Sequence, residues 1–188
     1  MLYSTIVTND DELIQINRLN LQNLRTNLSK QQKENEGFVT WLYPVSLLKE
    51  MHKTAPSIIV KDGDDVVGYA LVTLKEASNF HHDLKIMIDN LDLINYKSKP
   101  VSSYKFYIMG QVCIQKYYRS KGIFQMLFQK HKELYSSEFD LLVTEISTAN
   151  YRSNKAHEKV GFKTIHTYRD DLDDWNVVVW DWRFNDGQ

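Results

Sequence analysis

Apolar residues follow two different spacings along the chain, one typical of strands and one typical of helices. A short strand is predicted at residues 4–7, and apolar residues at helical spacing after Asp10 and Asp11 predict a helix that these carboxylates cap. Ser29 and Gln32 stand at the spacing of a capping box, which predicts a short polar helix. The beginning of the chain is therefore expected to be a strand followed by helices.

The middle of the chain is richer in strand-forming residues. Residues 57–61 and 66–74 are predicted to form a hairpin around the turn at 62–65, which contains Asp and Gly. The segment 76–103 has a weaker pattern, with one short helix expected at 83–90 and a polar, loop-like stretch towards its end. We interpret this segment as an insertion beside a functional cleft.

The remainder of the chain predicts a strand, a helix and a second strand in succession. Residues 105–114 and 141–146 predict buried strands, and residues 123–135 between them predict an amphipathic helix, which makes a βαβ unit. The elements expected after it are a helix at 154–160, closed by Gly161, and strands at 163–168 and 177–182. Because no repeat or linker divides the chain, a single domain over 1–188 is expected.

Composition and charge exclude several classes of protein. Hydrophobic residues make up 43% of the chain and charged residues 25%, with only 7 Gly and 3 Pro, which excludes collagen-like and disordered chains. The formal net charge of -1 gives no overall positive field, so neither nucleic acid nor a membrane is expected as a partner. A single cysteine, Cys113, and a start without a secretory signal favour a cytoplasmic protein.

One run, residues 112–127, carries candidate binding chemistry, because it predicts a strand, a basic loop and a helix start. A helix start offers unpaired backbone N–H groups, and Gly122 lets a pyrophosphate approach the backbone closely. Lys116, Arg119 and Lys121 add local positive charge. The run therefore predicts an anion site, and the alternative interpretation is a solvated turn.

Part of this run, Arg119-Ser120-Lys121-Gly122-Ile123-Phe124, resembles the Arg/Gln-x-x-Gly-x-Gly/Ala loop of the GNAT acetyltransferases. Phe124 departs from the family pattern, which prefers a small residue there. A second segment, residues 145–162, resembles the strand, asparagine, helix and terminal Gly-Phe of the same family, with Asn150 as the asparagine. The resemblance covers about residues 57–168, and the two motifs occur in the family's order.

The resemblance implies a fold, a cosubstrate and a set of binding residues. The implied fold is α/β (α+β), with a mixed, largely antiparallel sheet of six or seven strands, flanking helices and a central βαβ unit. Two central parallel strands splay apart, so that acetyl-CoA or another acyl-CoA places its pantetheine arm between them and its pyrophosphate on the loop. The residues assigned to acyl-CoA in this way are Val112, Cys113, Ile114, Arg119, Ser120, Lys121, Gly122, Ile123, Phe124 and Asn150.

Two residues are candidates for proton transfer, because an amine with a pKa near 10 must lose a proton before it attacks a thioester. Glu145 matches the position of the base in ribosomal-protein N-acetyltransferases of the family. His157 lies where many relatives carry a tyrosine that protonates the departing thiolate, and it could act as acid or base. The alternatives are a solvated or ion-paired Glu145 and a structural His157 bonded to helix backbone.

Other reactive side chains are assigned structural roles. Cys113, between two apolar residues of a core strand, is expected to be a small buried hydrophobe rather than an acyl-enzyme nucleophile. Residues 81–83 lack a further ligand pair, so no metal is expected and Asp83 is assigned to a helix cap. Trp175 is expected in the core rather than in a substrate wall, and the acidic turn at 170–174 in solvent unless it faces the cleft.

These observations predict an N-acetyltransferase that acts on a primary amine of a small molecule or a peptide. The alternative is a non-catalytic acyl-CoA-binding regulatory module, which would keep the loop but would not need Glu145 or His157. The acceptor, the acyl chain and the oligomeric state, including a homodimer, stay open.

Overall fold

The computed structural model describes residues 1–79, 82–91 and 93–183. Its strands are β1 (Leu2–Ile6), β2 (Ile58–Asp62), β3 (Asp65–Thr73), β4 (Asn95–Tyr96), β5 (Lys99–Pro100), β6 (Phe106–Ile114), β7 (Leu141–Ser147), β8 (Lys163–Arg169) and β9 (Asp174–Asp181). Its α-helices are α1 (Asp10–Asn23), α2 (Lys30–Glu36), α3 (Val45–Thr54), α4 (His82–Leu91), α5 (Ile123–Tyr135) and α6 (Tyr151–Val160).

The main sheet has seven strands in the order β1-β2-β3-β6-β7-β9-β8. Only β6 and β7 are paired in parallel, and all other neighbours in this sheet are antiparallel. Helix α5 connects these two parallel strands, which confirms the predicted βαβ unit. The mixed, largely antiparallel sheet and its flanking helices confirm the predicted fold class.

The two central strands separate after a short paired stretch. Their pairing ends at Ile108 of β6 and Val143 of β7, although both strands continue beyond these residues. At the fork, the Thr144 hydroxyl donates to the Met109 carbonyl at 2.8 Å. Past the fork, β6 stays with β3 and β7 stays with β9, which opens a gap between them. This is the splay that the resemblance implied.

The two faces of the sheet are covered by different parts of the chain. One apolar cluster joins Leu142 of β7 to Leu127 and Phe128 of α5. Another joins Val143 of β7 to Leu91 of α4 in the segment 76–103. Because successive strand residues point to opposite faces, Glu145 lies on the face of Val143, the face that the segment 76–103 covers.

The segment 76–103 contains more regular structure than its sequence predicts. The expected helix is confirmed as α4, but the stretch expected to be a loop forms the paired strands β4 and β5. Lys97 and Ser98 turn between them with φ values of 48° and 66°. Strands of two residues carry no readable alternation, so the sequence pattern missed them. His81 and the side chain of Asp83 lie outside the described residues.

Two helix starts also differ from the prediction. Asn9, rather than Asp10 or Asp11, caps α1, because its side chain accepts from the backbone N–H of Glu12, the third residue of the helix. The two carboxylates instead lie in the first turn, where they favour the helix dipole. Helix α6 begins at Tyr151, earlier than predicted, because Asn150 caps it. In the described part of the chain, no helix is long and apolar enough to cross a membrane.

Candidate active site

A large cavity of about 430 Å³ lies between β6, the start of α5, the start of α6 and the end of α2. Its lining contains nine of the ten residues that the resemblance assigned to acyl-CoA. These nine are Val112, Cys113, Ile114, Arg119, Ser120, Gly122, Ile123, Phe124 and Asn150. The tenth, Lys121, lies instead with its Nζ 4.8 Å from the ring centroid of Tyr118. The predicted loop and the end of β6 thus line the same cavity.

The loop before α5 has the backbone geometry of an anion cradle. Gly122 is the N-cap residue of α5 with a φ of 79°, and no side chain caps the helix there. Ser120 also has a positive φ, of 63°. The first residues of α5, Ile123 and Phe124, line the cavity, so the uncapped backbone N–H groups and the positive end of the helix dipole lie beside it. This arrangement suits a phosphate or pyrophosphate group.

A substitution at Gly122 tests the cradle. Gly122→Val is expected to weaken CoA binding about tenfold or more, because hydrogen bonds to a charged group contribute ~1.5–3 kcal/mol each and the new side chain would crowd them. A calorimetric titration with CoA measures this. Gly63→Val is the matched control, since Gly63 has a φ of +62°, also has open space around it, and lies in the β2–β3 turn. Equal CoA affinity in both variants would exclude the loop from the binding site.

The positive side chains beside this cradle are paired with a carboxylate. Glu36, the last residue of α2, is 2.8 Å from Lys116 Nζ and 3.0 Å from a terminal nitrogen of Arg119. The hydrogen bond from Lys116 is the largest reason why the pKa of Glu36 lies below its usual range. Arg119 also donates to the Ile114 carbonyl at 3.1 Å and to the Asn23 side chain at 2.6 Å. An anionic ligand would therefore compete with Glu36 for Lys116 and Arg119.

Residues 25–39 form the segment that contains α2 and Glu36, and this segment borders both the cradle and Asn150. Val39, at the end of this segment, donates its backbone N–H to the Asn23 carbonyl at the end of α1 at 3.0 Å and accepts from the Arg25 N–H at 2.9 Å, while α2 itself buries no residue. Asn150 donates to the Phe38 carbonyl at 2.8 Å and accepts from the Ser153 N–H at 3.3 Å. Gly37 has a φ of +74°, and a Cβ there would lie 2.9 Å from Asn150 Oδ1. Both polar atoms of the Asn150 amide are therefore engaged.

Removing the Glu36 charge is expected to strengthen CoA binding. Glu36→Gln frees Lys116 and Arg119 from a competing carboxylate, so CoA affinity should rise about three- to tenfold at low ionic strength and by less at high salt. Glu34→Gln is the matched control, because Glu34 is an exposed residue of the same helix, 4.0 Å from Lys30. Titrations at two salt concentrations check the result. Weaker binding by Glu36→Gln would mean that Glu36 orients these cations instead of competing for them.

A small cavity of about 80 Å³ lies beside the large one, at the fork between β6 and β7. Both candidate proton-transfer residues, Glu145 and His157, line it. Residues that line both cavities are Phe38, Val39, Val112, Asn150 and Ser153. The structure therefore brings the predicted cradle and the predicted catalytic residues into adjoining spaces.

Glu145 is partly buried, and one of its carboxylate oxygens has no partner among the described residues. Burial raises its pKa to about 7, and a hydrogen bond from Tyr168 acts in the opposite direction. Its Oε1 is buried and has no hydrogen-bond partner among the described residues. Its Oε1 is thus neither solvated nor ion-paired among the described residues. A carboxylate with a pKa near neutrality can accept and release a proton at the pH of a cell.

His157 is buried on α6 with only 2% of its surface exposed. Its Nδ1 lies 2.8 Å from the Ser153 carbonyl, which can only accept, so Nδ1 carries the proton and Nε2 is left as an acceptor. Nε2 is buried without a partner in the described chain. The rings of Phe124, Phe128 and Phe162 surround the imidazole, with centroids 5.0 to 5.4 Å away. This burial lowers the pKa of His157 to about 4, so the ring is neutral at neutral pH.

Cys113 has the structural role predicted for it. The residue is only 7% exposed, and burial raises the pKa of its thiol to about 12, so the sulfur stays a thiol. Trp175 is buried as expected, but it also lines the small cavity together with Trp41 and Met87. The sequence offered no signal for Trp41, Met87 or Tyr168, because β-sheet register and the placement of α4 bring such residues to the site.

Within the described ranges, no group of three or more His, Cys, Asp or Glu side chains could hold a metal ion. His81, considered as a metal ligand from the sequence, lies outside those ranges.

Comparison with known proteins identifies the fold but not the sequence family. No protein-family model and no curated protein sequence matches the chain. Solved structures do match over nearly the whole chain, and many of them are GNAT acetyltransferases. The chain therefore has the GNAT acetyltransferase fold, as the resemblance in its sequence implied.

Particular structures show how far this likeness extends. A GNAT acetyltransferase from Streptococcus agalactiae 2603 is 13% identical, with a TM-score of 0.65, and the match covers 96% of this chain and 95% of that one. The Escherichia coli ribosomal-protein-S18-alanine N-acetyltransferase is 8% identical, with a TM-score of 0.62 and coverage of 100% and 98%. A chain of the NatC complex bound to Gag peptide and CoA is 12% identical, with a TM-score of 0.62 and coverage of 96% and 98%. At such low identity, the likeness concerns the fold alone.

Proposed function

We propose that this protein is a GNAT-type N-acyltransferase that transfers acetyl from acetyl-CoA to a primary amine of a small molecule or a peptide. The observation that carries the proposal is the junction of the two cavities at the fork. An uncapped helix start and the open edge of β6 line the large cavity, and Glu145 and His157 line the small one. The NatC structure, which shares the fold, contains CoA and a peptide, which supports an acyl-CoA and an amine as substrates.

The cradle would hold the cosubstrate through backbone groups. The N–H groups at the start of α5 would bind the pyrophosphate, and the unpaired edge of β6 at Val112 to Ile114 would bind the pantetheine arm. Asn150 would hold the Phe38 carbonyl in place beside this arm, because its own amide is already engaged. When bound, acetyl-CoA supplies an acyl group activated as a thioester.

The proton transfers would fall to the residues of the small cavity. Glu145 Oε1, which has no partner in the described chain, would accept a proton from the incoming ammonium group. His157 Nε2 would accept the second proton that the nitrogen loses as its bond to the acyl carbon forms, and would pass it to the CoA sulfur as the carbon–sulfur bond breaks. The net products are an amide, CoA thiol and one proton held by Glu145. Each proton thus has a named acceptor.

The rival proposal is an acyl-CoA-binding module without catalysis. Such a module would use the cradle alone, whereas Glu145 Oε1 and His157 Nε2 are both buried without partners among the described residues. Both residues line the small cavity, where a substrate would supply the missing hydrogen-bond partners.

Release of CoA thiol from acetyl-CoA, measured across a panel of primary amines, tests the proposal. Release above the background rate with at least one amine is expected. CoA binding without release for any amine would favour the binding module. A failure to bind CoA would overturn both proposals.

A further inference from the structure

We infer that the acceptor is a primary amine whose neighbouring carbon carries no carboxylate, and therefore that free α-amino acids are poor substrates. The class includes plain alkyl- and arylalkylamines, and amines whose neighbouring carbon bears an amide, as at the end of a peptide. This inference rests on the proposed function, because it assumes that the acceptor nitrogen reacts beside Glu145.

The walls of the small cavity are mostly apolar. Aromatic and thioether residues contribute to its lining, namely Phe38, Trp41, Met87, Met109 and Trp175. A space of about 80 Å³ admits only the reacting nitrogen and a few neighbouring atoms of an acceptor. The substituent on the amine-bearing carbon therefore enters this lining together with the amine and meets the same walls.

The charge of the small cavity is the second argument. Among the described lining residues there is no Lys or Arg, His157 is neutral, and the only carboxyl group is that of Glu145, which becomes negative as pH rises through about 7. The nearby Asp170 is also negative, and it acts to raise the pKa of Glu145. An acceptor carboxylate would lose water here and face negative charge without a cationic partner, which is strongly unfavourable. An ammonium group meets the opposite conditions, because a carboxylate and aromatic walls both favour it.

Two arginines near the two cavities are already paired with carboxylates. The guanidinium of Arg25 lies 5.4 Å from the ring centroid of Phe38, and it pairs with Asp173 at 3.1 Å. Asp173 is held in turn by the Ser147 hydroxyl at 2.8 Å. Arg119 pairs with Glu36 on the side of the large cavity. To bind an acceptor carboxylate, either arginine would have to leave its partner.

A pair of acceptors that differ in one group tests the inference. L-phenylalaninamide and L-phenylalanine share the side chain and the amine and differ only in amide against carboxylate, while phenethylamine lacks both groups. Initial rates of CoA thiol release are compared at equal concentrations of unprotonated amine, so that the different amine pKa values do not decide the result. The amide and phenethylamine are expected to exceed the amino acid in kcat/KM by at least about tenfold, because an unpaired buried charge is strongly rejected.

The outcomes separate this inference from the proposed function. Equal or better use of L-phenylalanine would overturn the acceptor class and leave the acyltransferase proposal standing. If CoA binds but none of the amines gives thiol release, the proposed function is overturned and this inference with it. The Arg25→Gln variant provides a further check, since it should leave the ratio of amide to amino acid unchanged. A selective loss of activity with the amino acid in that variant would show a carboxylate bound at Arg25 and overturn the inference.

Discussion

Glu145→Gln is expected to lower turnover by about 10²–10⁴-fold, the usual contribution of a positioned general base, while CoA affinity stays near that of the parent protein. Glutamine keeps the shape of the side chain but cannot accept the proton at Oε1, and the cradle for CoA lies in the adjoining cavity. Thiol release measures turnover and calorimetry measures CoA affinity, so the two expectations are checked separately. Glu158→Gln, an exposed change on α6, serves as the control and should alter neither quantity.

The same substitution has a second, independent signature in stability. Burial raises the pKa of Glu145 to about 7 from an ordinary value of 4.5, so the folded protein binds a proton that the unfolded chain releases between these values. The contribution of Glu145 to the stability of the folded protein is therefore fully present below pH 4.5 and is lost as pH rises through about 7. Glu145→Gln should not show that loss. Its free energy of unfolding at pH 8 should therefore exceed that of the parent protein by up to ~2–3 kcal/mol, with little difference at pH 4.5.

Thermal or denaturant unfolding at these two pH values measures the stability difference. Unchanged turnover in Glu145→Gln, with the parent pH profile, would assign the proton to His157, water or the acceptor itself. A loss of turnover with no gain of stability at high pH would mean that the carboxylate is not desolvated in solution. The combination of lower turnover and higher stability is the result that a buried base predicts.

Local chemistry explains which parts of the fold could be predicted from the sequence. The bounds of α5, Ile123–Tyr135, follow from helical apolar spacing after Gly122, and the capping box of α2 is a pattern within a few residues. The cradle belongs to the same kind of local signal, whereas Asn150 is assigned through the family resemblance. Each of these local features depends on neighbours close in sequence, and the structure agrees with the prediction for both helices.

The parts that could not be predicted depend on contacts between distant residues. Glu36 meets Arg119 across 83 positions of sequence, and no local pattern marks it as the partner of the cradle. Tyr168 reaches Glu145 because β9 pairs with both β7 and β8, and a shift of register between Thr164 and His166 sets its position. The neutral state of His157 likewise follows from three phenylalanine rings around it, which only the folded chain assembles.

His157→Phe is expected to lower turnover by about a hundredfold or more with little change in CoA affinity, since it removes the acceptor nitrogen proposed to carry a proton to the sulfur. His157→Tyr should retain part of the activity, because a hydroxyl can also exchange a proton there. The expected order of turnover is therefore His, Tyr, Phe. Equal turnover in the Phe variant would assign His157 a packing role alone, whereas equal losses in Phe and Tyr would indicate chemistry specific to imidazole.

Acid stability gives the His157 prediction a readout that is separate from activity. Burial lowers the pKa of His157 to about 4 from an ordinary value of 6.5, so the unfolded chain binds a proton that the folded protein excludes. The stability from this group is present above pH 6.5 and is lost as pH falls towards 4. In His157→Phe this loss disappears, and unfolding between pH 7 and 4 should show an acid destabilisation smaller by up to ~3 kcal/mol than in the parent protein. The same slope in both proteins would mean that the imidazole is already charged or solvated in the folded state. Nε2 would then be a donor to the sulfur, rather than the acceptor that the Nδ1 hydrogen bond to the Ser153 carbonyl implies.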